Sequence, residues 1–324
     1  MKQEVLYLSR GDVEAVGLEM STVVDAVEAV FREKGEGRIE MPPKPGIHPV
    51  QDSFIHAMPA YVPGMGAAGV KWVSGFPSNL QKRLPYISGL LVLNDPETGI
   101  PTCVMDATWV TAKRTGAATA VAAKYLARED SRTMGVLGCG VQGRTNLEAM
   151  LVVCDSIEHV KAYDTDHRAL YKYADEMKSE HGVTVTTVGS PRNAVEGCDV
   201  VVTAGPILKH PTPVIEARWF GEGAFACPLD FDSYWKDEAM HAADKFCTDD
   251  RGQLDYYRTV GYFGGIPEVH ADLGEVVTGR RPGREGDSER TMSMNLGVAI
   301  EDMATAVRIL DKAKAKGAGT WLPL

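Results

Sequence analysis

The chain has 324 residues, 44% of them apolar and 24% charged, a length and balance that fit one large or two medium globular domains with a sizeable core. Its formal net charge of −10 argues against nucleic acid or an anionic membrane as partner, because both need a basic face. A small anionic substrate stays compatible, since a local cluster of cations outweighs the global sign.

The opening M-K-Q-E-V-L-Y-L-S-R-G-D has no apolar h-region, and no run in the chain approaches ~18 apolar residues, so a cytoplasmic protein is expected. Ser21 to Glu33 places Val23, Val24, Val27, Val30 and Phe31 on one helical face, with Ser21 as the expected cap. A proline-rich segment, G-E-G-R-I-E-M-P-P-K-P-G, follows and reads as irregular. Strands are expected at 53–58, 67–74, 86–94 and 101–105, a succession that predicts a mainly antiparallel sheet. Residues 106–127, rich in Ala and Thr, read as one long helix. Beyond them helix and strand alternate: helix at 168–181, strand at 183–188, a short helix at 190–196, and strands at 200–204, 224–229 and 245–248. The almost wholly apolar V-V-V-T-A is what a parallel strand covered on both faces requires. Residues 294–316 read as a closing helix. The fold class is therefore α/β. A Rossmann-type doubly wound parallel sheet is expected over 116–301, and 1–115 joins 302–324 in a discontinuous α+β domain. Cysteines 103, 139, 154, 198, 227 and 247 lack C-x-x-C or Cys/His ligand spacing, which predicts reduced thiols and no metal site.

The stretch from Thr133 to Asp164 carries the strongest signal. A short apolar run, Met134 to Leu137, leads into Gly138, Gly140 and Gly143, a complete G-x-G-x-x-G. Val141 and Gln142 open the helix that follows, and a second strand ends on Asp164, 21 residues past Gly143. The first glycine permits a tight turn, the second lets a pyrophosphate approach the backbone, and the third lets helix and strand pack closely. The helix N-terminus offers unpaired N–H groups to the phosphates. An acid at the second strand end accepts hydrogen bonds from an adenosine ribose and repels a 2′-phosphate. Asp164 thus favours NAD(H), with Arg168 close by as the one feature that suits NADP(H).

Outside this stretch, Arg38, Lys71 and Arg114 are the informative cations. Each by itself is more often a surface charge or a salt-bridge partner than a ligand, although Lys71 lies on a strand among apolar residues where a solvated lysine is out of place.

The chain resembles the ornithine cyclodeaminase/mu-crystallin family along nearly its whole length. The resemblance rests on M-P-P, H-A-M-P-A-Y, G-V-K-W-V-S-G, L-V-L-N-D-P-E-T-G, K-R-T-G-A-A-T-A, G-C-G-V-Q-G, A-D-L-G-E-V-V-T-G-R-R-P-G-R and G-V-A-I-E-D-M-A-T-A. It implies that Arg38, Lys71 and Arg114 gather around a substrate carboxylate and α-nitrogen, with Lys71 taking part in catalysis. It implies that Thr203, Thr115 and Asn295 lie along the cofactor, and that the protein is a homodimer built through the non-Rossmann domain. The family's catalytic acid, in G-A-D-x-P-G-K, matches Asp232 of C-P-L-D-F-D-S-Y-W-K. Asp230 is a rival, and both also read as loop-capping residues. His56 stands where true ornithine cyclodeaminases resemble E-L-M-P, so the acid expected near a distal amine is missing. The implied activity is an NAD(H)-dependent oxidoreductase on the C–N bond of a small α-amino acid, with amino-acid, imino-acid or 2-oxo-acid substrates. The alternatives are a cyclodeaminase-type lyase that uses bound NAD catalytically and a non-catalytic ligand binder.

Overall fold

A computed structural model describes residues 3–324, and the chain divides into two compact units. One comprises the chain up to Arg114 together with Gly297–Leu324; the other is Thr115–Leu296.

The first unit opens with β1 (Glu4–Leu8) and α1 (Arg10–Val16), whose Ser9 and Asp12 form a capping box. In α2 (Met20–Gly35) the cap position is Glu19, without a side-chain capping bond, and Ser21 lies inside the first turn. The buried stripe begins at Met20, so the chain is already helical before the expected cap. Strands β2 (Gly46–Ile47), β3 (Phe54–Val62), β4 (Ala67–Gly75), β5 (Ile87–Asn94) and β6 (Pro101–Asp106) then pair in antiparallel succession. From His56 along β3 and from Lys71 along β4 every second residue is buried, including Met58, Ala60 and Val73. Helix α3 (Thr108–Leu126) carries Arg114 as the last residue of the first unit and Thr115 as the first of the second.

The second unit contains β7 (Thr133–Leu137), α4 (Val141–Val153), β8 (His159–Tyr163), α5 (His167–His181), β9 (Thr184–Thr187), α6 (Pro191–Val195) and β10 (Val200–Thr203). It continues through β11 (Phe225–Pro228), α7 (Asp237–His241), β12 (Lys245–Thr248), α8 (Arg251–Thr259), β13 (Ala271–Asp272), α9 (Leu273–Val277) and β14 (Thr291–Met294). Its eight strands pair in parallel in the order β9-β8-β7-β10-β11-β14-β12-β13, a doubly wound sheet with its reversal point between β7 and β10. Strands β10, β11, β12 and β14 are buried at every residue, as helices on both faces require.

One segment corrects the sequence reading. Met294 closes a central strand, and the helix begins only at Ala299. T-M-S-M alternates polar and apolar residues with Met292 and Met294 in the core, but at four residues the alternation is too short to stand out, and β11 and β12 cover it on either side. The A-D-L-G-E motif is a capping box between Asp272 and Glu275 at the start of α9. Arg284 of G-R-R-P-G-R ties its loop to the carbonyls of Leu126 and Glu289 at 2.8 and 2.6 Å.

The chain then returns to the first unit through α10 (Ala299–Lys316) and β15 (Thr320–Pro323). The crossing falls before Gly297, ahead of the expected residue 302, because α10 packs as one body on α2, β3 and β4. β15 pairs with β1, which is parallel to β6, and this completes a seven-stranded sheet in the order β15-β1-β6-β5-β4-β3-β2. Among the described residues no helix is long and apolar enough to cross a membrane.

Candidate active site

In the second unit the glycine turn is held by geometry that only glycine satisfies at Gly138 and Gly143. Gly138 has φ +101°, and a Cβ there would fall 2.6 Å from the Ala204 carbonyl oxygen. Gly140 would meet nothing within 4 Å, so backbone is open to a bulky anion. A Cβ on Gly143 would overlap the Gly138 carbonyl, so α4 sits hard against the strand end. Gly140 caps α4 without a side chain, which leaves the first-turn N–H groups, beginning at Val141 and Gln142, to an anion. Arg144 braces the turn from below: it donates to the carbonyls of Cys139 and Gly140 while Glu176 accepts from its Nε at 2.8 Å.

Asp164 follows β8. Its Oδ2 accepts from the Cys139 N–H at 2.7 Å and its Oδ1 from the Asp166 N–H at 2.8 Å. The lone pairs that remain suit ribose hydroxyls. Arg168 is exposed, and its backbone N–H donates to Asp166 at 2.9 Å. Thr203 ends β10, Asp230 and Asp232 follow β11, and Asn295 follows β14. All therefore lie at the carboxyl ends of parallel strands, where such sheets bind ligands. Asn295 is buried, with its Oδ1 accepting from Ser293 at 2.7 Å and its Nδ2 unpartnered, a donor fit for a carboxamide oxygen. Thr115 is half-buried on α3.

The two aspartates after β11 are sharply different. Asp230 is fully buried and accepts from Thr203 Oγ1 at 2.7 Å and the Gly205 N–H at 2.9 Å. Burial pushes its carboxyl up to about 7 against the lowering effect of those bonds. Asp232 is half-buried and accepts from the Phe263 N–H at 3.2 Å; burial also raises its pKa. Phe231 between them has φ +61°, and its ring packs 5.0–5.5 Å from those of Tyr257, Tyr262 and Phe263. That left-handed turn points the neighbouring carboxylates to different surroundings.

In the first unit a buried ionic cluster forms where β3, β4, α3 and the start of α10 meet. Lys71 is fully buried and donates to Asp302 Oδ1 at 2.6 Å. Arg114 pairs with Glu301 at 2.5 Å and with Asp302 at 3.0 Å. Lys44 is 7% exposed and donates to the Gly297 carbonyl at 2.8 Å; a Cβ on Gly297 would fall 2.5 Å from Arg114 Nη1. Lys71, Arg114 and Lys44 are thus buried close to the carboxylates of Glu301 and Asp302. Burial, with Arg114 alongside, brings the Lys71 ammonium down to about 7 despite the opposing pull of Asp302.

His56 on β3 is buried, stacked on Phe54 at 4.3 Å, with Gly46 pressed against its ring. Burial first, then the charges of Lys44, His48 and Lys71, hold its pKa down at about 3, so it is neutral at working pH. In the unfolded chain the same group titrates near 6.5. Unfolding therefore takes up a proton below 6.5, and the stability His56 permits above that pH is lost as pH falls from 6.5 towards 3. His56→Phe should accordingly unfold over a shallower acid limb in a urea series measured at several pH values; an unchanged limb would sink this account.

Arg38 does not join the cluster. Its guanidinium is half-exposed and held by Glu33 at 2.6 Å and by Glu36, at the end of α2. Lys44 of the M-P-P-K segment stands in the cluster instead. The sequence reading also missed Glu301 and Asp302. Their signal was present: two adjacent acids inside an otherwise apolar helical stripe have to be paired when buried.

Comparison with known proteins agrees with this architecture. The chain is 38% identical over 326 residues to an alanine dehydrogenase of Archaeoglobus fulgidus, with 98% of each chain covered. The structure of Thermococcus litoralis Δ1-pyrroline-2-carboxylate reductase, in complex with NADH and L-proline, matches with a TM-score of 0.89 and 36% identity, covering 98% of this chain and 99% of that one. An archaeal alanine dehydrogenase dimer with bound NAD gives the same TM-score and identity, at 99% and 100% coverage. The family model for ornithine cyclodeaminase/mu-crystallin proteins matches residues 4–317. The chain belongs to the ornithine cyclodeaminase/mu-crystallin family.

Proposed function

We propose that the chain is an NAD(H)-dependent oxidoreductase that oxidises a small α-amino acid at its C–N bond, or reduces the corresponding imine. The observation that carries this reading is the pairing of two features in one chain. One is a dinucleotide turn at the reversal point of the parallel sheet; the other is a buried cluster of Lys44, Lys71 and Arg114, groups suited to a carboxylate. Arg114, with its fork of donors, and Lys44 hold the carboxylate, while Lys71, titrating near neutrality, polarises the reacting carbon's oxygen or nitrogen substituent. When bound, NAD+ would supply the acceptor for a hydride from Cα, which leaves that carbon as an iminium. Asp232 takes a proton from the water that adds to the iminium carbon and returns it to the nitrogen of the carbinolamine; the C–N bond then breaks, ammonia leaves, and the hydroxyl proton passes to solvent, giving a 2-oxo acid. In the reverse direction a cyclic imine receives hydride at carbon and a proton at nitrogen.

Asp164 selects NAD(H) over NADP(H). His56, buried and neutral, offers no charge to a distal ammonium, which counts against cyclodeamination of a dibasic substrate. The reading also includes a homodimer. The seven-stranded sheet carries exposed Tyr61, Trp72 and Leu90, and Trp72 sits opposite Leu90 in register. An apolar sheet face of this kind marks an interface, and a second copy supplies a self-complementary cover. Trp72→Glu combined with Leu90→Glu should turn a dimer into a monomer in light scattering, with the circular dichroism of the fold retained. A variant that stays dimeric would place the interface elsewhere.

The function is tested by following reduced-nicotinamide absorbance with NAD+ and a panel of amino acids, and with NADH and cyclic imines, while assaying ammonia. NADH formation with alanine or a similar small amino acid, or NADH consumption with a cyclic imine, supports the reading. Ammonia from ornithine without any net change in NADH would replace it with the lyase.

A further inference from the structure

The loop after β10 is held between two other segments. On one side the Ala204 N–H donates to the Leu137 carbonyl at 2.7 Å, and Gly138 lies so close that a side chain on it would strike the Ala204 oxygen. On the other side lies the segment after β11. Leu229 N–H donates to the Thr203 carbonyl at 2.9 Å, Asp230 accepts from the Thr203 hydroxyl and the Gly205 N–H, and Trp235 Nε1 donates to Thr203 Oγ1 at 3.2 Å. Tyr234 closes over Gly205, where any side chain would overlap its hydroxyl. The Thr203 hydroxyl thus donates to Asp230 and accepts from Trp235, and one buried carboxylate holds the ends of the loop on both sides of Ala204.

We propose that Asp230 is a positioning residue for dinucleotide binding: its buried carboxylate fixes residues 203–205 beneath the glycine turn, while Asp232 alone serves the chemistry. This rests on the dinucleotide reading above. A buried carboxylate bonded to a backbone N–H is a stiff brace, because both partners would be left unsatisfied if it moved. Its two oxygens are directed at the loop, and the left-handed Phe231 turn carries Asp232 out of that bonding pattern. The segment following β11 therefore has two separate tasks assigned to two acids two residues apart.

The test is NADH titration by fluorescence together with steady-state kinetics for wild type, Asp230→Asn, Asp230→Ser and Asp232→Asn. Wild type is titrated first: failure to bind NADH would dispose of the dinucleotide reading itself. Given binding, both Asp230 variants should raise the NADH Kd and the KM for the dinucleotide by about tenfold while kcat changes less than about threefold. The two substitutions guard against one of them failing to fold. Thr203→Ser, which keeps the hydroxyl, should retain wild-type affinity, and Thr203→Val should share the loss without adding to that of Asp230→Asn in the double variant. A collapse of kcat at unchanged NADH affinity would overturn the proposal and make Asp230 the acid/base. A lowered Tm with unaltered Kd and KM would overturn it too, leaving a brace for the fold alone.

Discussion

Lys71→Met is expected to remove turnover and to lower the unfolding free energy by about 3–5 kcal/mol, the range for breaking a buried ion pair from one side. Both consequences come from one fact. Lys71 and Asp302 are fully buried, Lys71 donates to Asp302 Oδ1, and Asp302 Oδ2 has no hydrogen-bond partner. Met fills the lysine's volume, so the loss is electrostatic and leaves no cavity. Arg114 Nε stays 3.0 Å from Asp302 and limits the cost to the lower part of that range. The pair Lys71→Met with Asp302→Leu should recover much of the stability and none of the activity, because an apolar pair replaces an uncompensated charge. Urea unfolding, compared at constant m, separates the two effects. A single variant as stable as wild type would mean that the cluster does not hold in solution as described.

Asp232→Asn is expected to lower kcat by about 10²- to 10⁴-fold with the NADH affinity unchanged. The amide keeps an oxygen to accept from the Phe263 N–H, so the local turn survives and the change is confined to proton transfer. Because burial raises the pKa of Asp232, the acid limb of kcat/KM should lie above the ordinary aspartate range in wild type and vanish in the variant. An undiminished kcat would remove Asp232 from the mechanism.

The dinucleotide unit was legible because its constraints are local. Gly138, Gly140, Gly143 and Asp164 act within a single strand–turn–helix–strand stretch, and spacing alone encodes their geometry. The substrate-side cluster is built differently. Lys71 pairs with Asp302 across 231 positions and Arg114 with Glu301 across 187, and no window of sequence contains both partners. The reading therefore found Lys71 and Arg114 as cations in apolar surroundings but not their counter-ions. It took Arg38 from the family resemblance and did not single out Lys44, whereas Arg38 lies half-exposed on Glu33 and Glu36 at the end of α2. β14 was missed for a related reason: its burial is supplied by neighbouring strands, and the alternation of T-M-S-M runs for only four residues before the irregular stretch that precedes α10. In sequence Asp232 matches the family's acid while Asp230, two residues earlier across a phenylalanine, stays its rival. The positive φ of Phe231 distinguishes them.

The central claim is hydride transfer from Cα of an amino acid to the nicotinamide, with net release of the reduced cofactor. Turnover of alanine or proline deuterated at Cα, followed by mass analysis of the free nucleotide pool, tests this directly. The account predicts deuterium in free NADH, one per oxidised substrate. Deuterium that returns to an amino-acid product while the nucleotide pool stays unlabelled and oxidised would contradict it, and would mean that the cofactor is only borrowed within each turnover.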